Sequence, residues 1–182
     1  VESNNQIKAI GGYFELADKD CESGRMPVDG IALNTCRNAL EYIILQLSDA
    51  RRIFIPFFTC EAVIEPLKRL PIEYQFYHIN EQLEIAEELK LEEGDYLIVN
   101  NYFGIKDAYI EWQAGKYGDR LIVDNAQAFF AKPIPGIDTF YSARKFFGVP
   151  DGAYLYTDAQ IDIELEQDQS WHRMQHLLLR AD

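Results

Sequence analysis

Eight lysines occur in the chain, and one of them stands apart from the others. Lys19, Lys68, Lys90 and Lys116 lie among charged or polar neighbours, where a solvated amine is the natural reading. Lys145 instead follows an apolar run and is flanked by Phe140, Tyr141, Phe146 and Phe147. Apolar surroundings disfavour an ammonium ion, and an amine that can shed its proton can attack an aldehyde. The competing reading is a lysine that lays its methylenes past the aromatics and keeps its head in water. A second residue of interest is Asp124, which ends the run Leu121-Ile122-Val123 and so puts a carboxylate at the end of a strand. By itself such an aspartate reads equally as a helix cap or a metal ligand. A third feature is Thr35-Cys36, which opens a helical pattern and offers free backbone N–H groups to an anion, with Arg37 able to add charge. Simple capping explains that feature as well. Ser142, three residues before Lys145, could add a hydroxyl.

A lysine, a carboxylate and an anion-binding helix start are the groups that pyridoxal 5'-phosphate (PLP) requires. The lysine holds the cofactor as a Schiff base. The carboxylate keeps the pyridine nitrogen protonated, and the protonated ring is the electron sink for a carbanion at the substrate α-carbon.

Residues this far apart in sequence must be brought together by regular elements, and the apolar pattern alternates between short runs and helical stripes over residues 31–157. Ala39, Leu40, Ile43, Ile44 and Leu47 recur at helical spacing, which predicts a helix from about Cys36 to Leu47. Arg52–Pro56 reads as a strand, followed by Thr59 as a cap and a helix through Ala62, Val63 and Leu67 in which Pro66 predicts a kink or early stop. Further strands are expected at Glu73–Ile79, Tyr96–Val99, Leu121–Val123, Thr139–Ser142 and Ala153–Thr157, with a helix at Ala108–Tyr117. The acid-rich stretch Glu81–Asp95 reads as a solvated helix or loop. In an open parallel sheet, ligands sit beyond the carboxyl ends of the strands, where Asn34–Arg37, Asn100–Gly104, Asp124–Gln127 and Ser142–Lys145 would all gather.

Composition narrows the partners. The chain has 182 residues, with 17 Lys and Arg against 30 Asp and Glu, and a net charge of −13 repels nucleic-acid backbones and anionic membranes. Cys21, Cys36 and Cys60 are an odd number without CxxC spacing, which argues against a disulfide framework or zinc ribbon and fits a cytoplasmic protein. No run is apolar enough to cross a bilayer. His172 and His176 lie four apart but lack the intervening Glu of HExxH and a third ligand, so a zinc site is not expected.

Read together, NTCRNAL, IPFFTCEAV, NNYFGIKD, VDNAQAFF and FYSARKFFGVPDGAYLY, in this order, resemble the large domain of DegT-type aminotransferases, a PLP-dependent family that aminates keto-sugars. The resemblance implies a three-layer α/β/α fold with a mainly parallel sheet. It places the cofactor-bonding lysine on Lys145, the carboxylate partner of the ring nitrogen on Asp124 and the residue near the ring hydroxyl on Gln127. Thr35, Cys36 and Ser142 match the phosphate-binding groups, and Asn101 and Tyr102 match the wall of the pocket. A small-molecule amino donor, a keto acceptor and a homodimer are implied as partners. Residues 1–30 are then an N-terminal arm, 31–157 the PLP-binding core, and 158–182 a helix leading toward a C-terminal domain that this length cannot supply, which makes the chain an expected N-terminal fragment.

The pattern departs from the family at two further points. Cys60 stands where an aromatic ring usually stacks on the cofactor, so Phe57, Phe58 or Tyr102 would have to serve, and the segment around Lys145 is shorter than usual. The rival reading is a degenerate PLP-binding or aminotransferase-like domain serving regulation or assembly. A nucleotide-binding doubly wound domain is disfavoured because neither GxGxxG nor GxxxxGK[ST] occurs.

Overall fold

The computed structural model of the chain describes residues 30–159 and 164–178. The N-terminal arm up to residue 29, with Lys19 and Cys21, and the end of the last helix beyond Leu178 lie outside the described residues, as does the side chain of His176.

The described residues hold seven strands and four α-helices. In chain order they are β1 (Ile31–Leu33), α1 (Cys36–Gln46), β2 (Arg52–Pro56), α2 (Glu61–Arg69), β3 (Glu73–Tyr77), β4 (Asp95–Asn100), α3 (Asp107–Tyr117), β5 (Leu121–Asn125), β6 (Asp138–Ser142), β7 (Ala153–Tyr156) and α4 (Gln175–Leu178). They form one sheet in the order β1-β7-β6-β5-β4-β2-β3. Strands β2 to β6 are mutually parallel, whereas β7 runs antiparallel to both β6 and β1. The sheet is therefore mixed but mostly parallel.

The continuous apolar runs of β4 and β5 follow from burial on both faces, every residue of these strands being buried. Alternate side chains serve opposite cores. Ile53, Ile55, Tyr96, Ile98, Ile122, Phe140 and Leu155 pack with Ala39, Leu40 and Ile43 of α1 and with Val63 and Leu67 of α2. Phe54, Leu97, Val99, Leu121 and Val123 pack on the other face with Ile110 and Tyr117 of α3. The result is the three-layer α/β/α arrangement expected. A third cluster, centred on Phe129, lies under the segment that carries Lys145.

Several boundaries differ from the sequence reading. The short edge strand β1 was not anticipated, because three residues carry too little pattern. Cys60 rather than Thr59 is the N-cap of α2, and the helix runs through Pro66 to Arg69 without stopping. Strand β3 ends at Tyr77 and β7 at Tyr156. The acid-rich stretch is a loop, pinned to the core by Lys106 Nζ on Glu84 at 2.5 Å and by the Ile85 amide donating to the Tyr109 hydroxyl at 2.8 Å. In place of one helix from Trp171 there is a 3₁₀ turn at Trp171–Arg173 followed by the single turn of α4. Arg173 ties this region back to the core through Asp151 at 2.5 Å, and Leu177 is buried. No helix among the described residues is long and apolar enough to cross a membrane.

At the amino ends of the strands, Asp95 is buried and held by Arg52 through Nη2 at 2.6 Å and Nε at 3.1 Å. Burial alone would raise its carboxyl pKa. The guanidinium and the Glu92 amide outweigh that and hold it below the usual carboxylate range.

Candidate active site

The carboxyl ends of β4, β5 and β6 converge on two adjoining cavities. One, of about 250 Å³, is lined by Phe58, Thr59, Cys60, Asn100, Asn101, Tyr102, Asp124, Ala126, Gln127 and Lys145. The other, of about 280 Å³, is lined among others by Thr35, Cys36, Arg37, Cys60, Asp124, Ser142 and Lys145. Cys60, Asp124, Ala126 and Lys145 belong to both, so the pair forms one two-lobed site. All eight residues named from the sequence line one lobe or the other.

Asp124 is set by register. It lies opposite Asn100 of β4 and Phe140 of β6, and its Oδ1 accepts the Ala126 amide at 2.8 Å, an Asx-type contact that turns the chain as β5 ends. Burial pushes its carboxyl pKa up, and the Ala126 N–H and the positive charge of Lys145 pull it partly back. A cation or a protonated ring nitrogen placed beside it would complete that compensation.

Lys145 closes a 3₁₀ turn, Ala143–Lys145, that follows directly on β6. The turn is tied by the Phe146 and Phe147 amides, which donate to the Ala143 carbonyl at 3.0 and 2.9 Å. Of the two readings of its amine, the one with its head kept in water fits the structure. Phe146 and Phe147 face Phe129, at ring-centroid distances of 5.8 and 4.9 Å, and Lys145 itself is exposed at the cavity wall. The aromatic neighbours in sequence thus buttress the backbone that carries the lysine.

The second lobe is the anion-binding end. Thr35 is the N-cap of α1 in extended conformation, and its Oγ1 accepts the Asn38 amide at 3.2 Å. That leaves the Cys36 and Arg37 amides without intrahelical partners and directed along the helix axis toward the lobe. Ser142 is buried at the end of β6 beside them. The Cys36 thiol donates to the Tyr141 carbonyl at 3.4 Å, and burial, with Asp124 nearby, pushes its pKa up to about 12. Its side chain is structural, and only its amide is free to bind. Arg37 lines this lobe and pairs with Glu65 of α2 at 2.6 Å, both side chains about half exposed.

The wall of the first lobe is partly committed elsewhere. Asn101 donates through Nδ2 to Asp107 at 2.7 Å and accepts the Lys106 amide at 3.0 Å, so its side chain fixes the start of α3. Tyr102 is buried, donates to the Phe58 carbonyl at 2.7 Å and stacks on Phe58 at 5.7 Å. Burial moves its hydroxyl pKa well above the ordinary phenol value. Of the candidates for a stacking surface, Phe58 and Tyr102 line the lobe, whereas Phe57 faces Phe76 and His78 instead. Gln127 accepts the Phe103 amide on Oε1 at 2.9 Å, which leaves its Nε2 as a donor. This contact holds a strained turn in which Phe103 has φ 56° and Gly104 φ 68°. A Cβ on Gly104 would stand 3.2 Å from the Gln127 carbonyl, so glycine serves both the conformation and the close approach.

Sequence reasoning put Asn100 and Ala126 at the site end of the sheet without a role of their own, and read Thr59 only as a helix cap. Asn100 carried the same signal as Asp124, a polar residue closing an apolar strand. No group of three or more potential metal ligands occurs among the described residues.

No family model and no curated protein sequence matches the chain. Solved structures do match. An aminotransferase from Psychrobacter cryohalolentis superposes with a TM-score of 0.56 at 17% identity over 71% of this chain and 38% of its own. Over the matched residues the chain shares the fold of that structure. The E. coli GDP-4-keto-6-deoxy-D-mannose-3-dehydratase, solved with hydrated PLP bound, matches at a TM-score of 0.54 and 15% identity over 71% of this chain and 39% of its own. The NtdA protein of Bacillus subtilis, solved with the cofactor PMP, matches at 0.56 and 16% over 71% and 33%. The chain thus spans about two fifths or less of the length of these structures.

Proposed function

We propose that the chain is the PLP-binding core of an aminotransferase of the DegT type, acting between a small-molecule amino donor and a keto acceptor. One observation carries the reading: Asp124 and Lys145, from different strand ends, line the same two-lobed cavity in a fold shared with structures solved with PLP or PMP bound. The residues fit the cofactor. A buried carboxylate with one oxygen satisfied awaits a cationic partner, and two free helix amides with a buried serine suit a phosphate.

When bound, PLP supplies an aldehyde carbon that amines can join and a ring that draws electrons from the substrate α-carbon. Lys145 Nζ would hold the cofactor and, released from it, would move the proton at the substrate α-carbon. Asp124 keeps the proton on the ring nitrogen. The Cys36 and Arg37 amides and the Ser142 hydroxyl would hold the phosphate, Gln127 Nε2 would be free to donate to the ring oxygen, and Phe58 with Tyr102 would wall the ring from water. Phe57, Phe58 and Phe103 are exposed, Phe58 at the first lobe, and suit an isologous dimer that covers them.

Titrating the protein with PLP and recording visible absorbance tests the reading. A borohydride-sensitive visible band is expected. Asp124→Asn should retain some of that band yet lower amino transfer from a donor amino acid by orders of magnitude, because the proton on the ring nitrogen is lost. A protein that stays colourless with excess PLP would refute the proposal.

A further inference from the structure

Two sides of the second lobe are tied to one distant arginine. The turn that enters α1 forms the first side. Asn34 lines the lobe there, its Nδ2 donating to Asp168 at 2.7 Å and its Oδ1 accepting the Asn38 side-chain amide at 2.6 Å. The loop after Lys145 forms the second side, where the Gly152 amide donates to the Asn34 carbonyl at 2.8 Å and the Gly152 carbonyl accepts the Ala143 amide at 3.0 Å. Beside Gly152, Asp151 accepts Arg173 Nε at 2.5 Å and the Ser170 hydroxyl at 2.8 Å. Arg173 Nη2 donates to Asp168 at 2.6 Å. One guanidinium therefore joins the carboxylate that holds Asn34 to the carboxylate next to Gly152. Residues 164–170, which are irregular, face α1 across a cavity of about 610 Å³. Without Arg173, Asp151 and Asp168 lose their shared counter-charge and repel, and Asn34 loses the partner that fixes it beside the Cys36 and Arg37 amides. We propose that Arg173 is a positioning residue for the phosphate end of the site, clasping residues 168–173 onto the turn before α1 so that the clasp and a bound phosphate stabilise each other.

This rests on the PLP reading and deepens it. By linkage, a clasp that helps PLP to bind is itself tightened when PLP binds, so Arg173→Met can be tested in both directions. Equilibrium dialysis should give a PLP dissociation constant about fivefold weaker than wild type, the low end for coupled sites because the clasp is partly exposed. Pyridoxal, which lacks the phosphate, should bind variant and wild type alike. Cleavage by a glutamate-specific protease at exposed Glu164 and Glu166 should be slowed by PLP in the wild type and much less so in the variant. Asp168→Ala cuts the same clasp at its other end and serves the same comparison if Arg173→Met does not fold. Wild-type PLP affinity in a folded variant, equal weakening for PLP and pyridoxal, or wild-type cleavage indifferent to PLP would each overturn the inference while leaving the PLP reading intact. A wild-type protein that does not bind PLP would instead remove the reading on which it rests.

Discussion

Phe129→Ala should disturb both stability and cofactor attachment, and the structure says why the two are coupled. Phe129 is fully buried and meets Tyr141, Phe146, Phe147 and Tyr154 at ring-centroid distances of 6.2, 5.8, 4.9 and 6.1 Å. Deleting a buried phenyl ring costs about 3–5 kcal/mol, because the transfer energy is lost and the cavity closes only in part. For a domain of this size that corresponds to a fall in Tm of roughly 6–20 °C. The same ring supports Phe146 and Phe147, whose amides close the turn that presents Lys145. A displacement of the order of 1 Å at a reacting group can cost about 10²-fold in rate. Chemical denaturation measures the first effect, and the rate at which the visible band grows after PLP is added measures the second. Phe54→Ala is the control, since Phe54 is buried in the core on the α3 face, away from the site. It should cost similar stability and leave the rate of attachment near wild type. If Phe129→Ala is destabilised as expected but takes up PLP at the wild-type rate, the aromatic cluster does not position the lysine.

Other outcomes follow from the same geometry. Burial pushes the Cys36 thiol up to about 12 and keeps it protonated at pH 8, so iodoacetamide should label exposed Cys60 and spare Cys36 in peptide mass maps, with PLP slowing the labelling of Cys60. Arg52→Met should destabilise by about 3 kcal/mol, the low end for a broken buried pair because Arg52 is itself 26% exposed. The lowered pKa of Asp95 means that this pair contributes fully above the unfolded-state carboxylate pKa of about 3.9 and is lost as pH falls through the folded value. The wild-type advantage in urea melts should therefore narrow in acid, and a gap independent of pH would contradict the assignment. Light scattering should show a dimer, and a monomer at micromolar concentration with PLP bound would refute the interface argument.

Where the fold was legible in the sequence, the reason was burial. The runs YLIV and LIV could only be strands covered on both faces, and their polar terminal residues had to lie at the site end of the sheet. What remained hidden depended on contacts across the chain. Flanking phenylalanines suggested a buried amine at Lys145, but residues adjacent in sequence point in different directions, and here they turn to Phe129 while the lysine faces the cavity. Arg37 looked like a free cation because Glu65 is 28 residues away. Asn101 looked like pocket wall because nothing local revealed its bonds to Lys106 and Asp107. Asn100 was placed at the site end of the sheet, as Asp124 was, but nothing local gave it a role.

Borohydride reduction of the PLP-treated protein, followed by peptide mass mapping, tests the central claim most directly. The pyridoxyl adduct should appear on the peptide containing Lys145, in a stoichiometry near one per chain, and should vanish in Lys145→Ala. An adduct on Lys106 or Lys132 that persists in Lys145→Ala, or no adduct at all, would contradict the account.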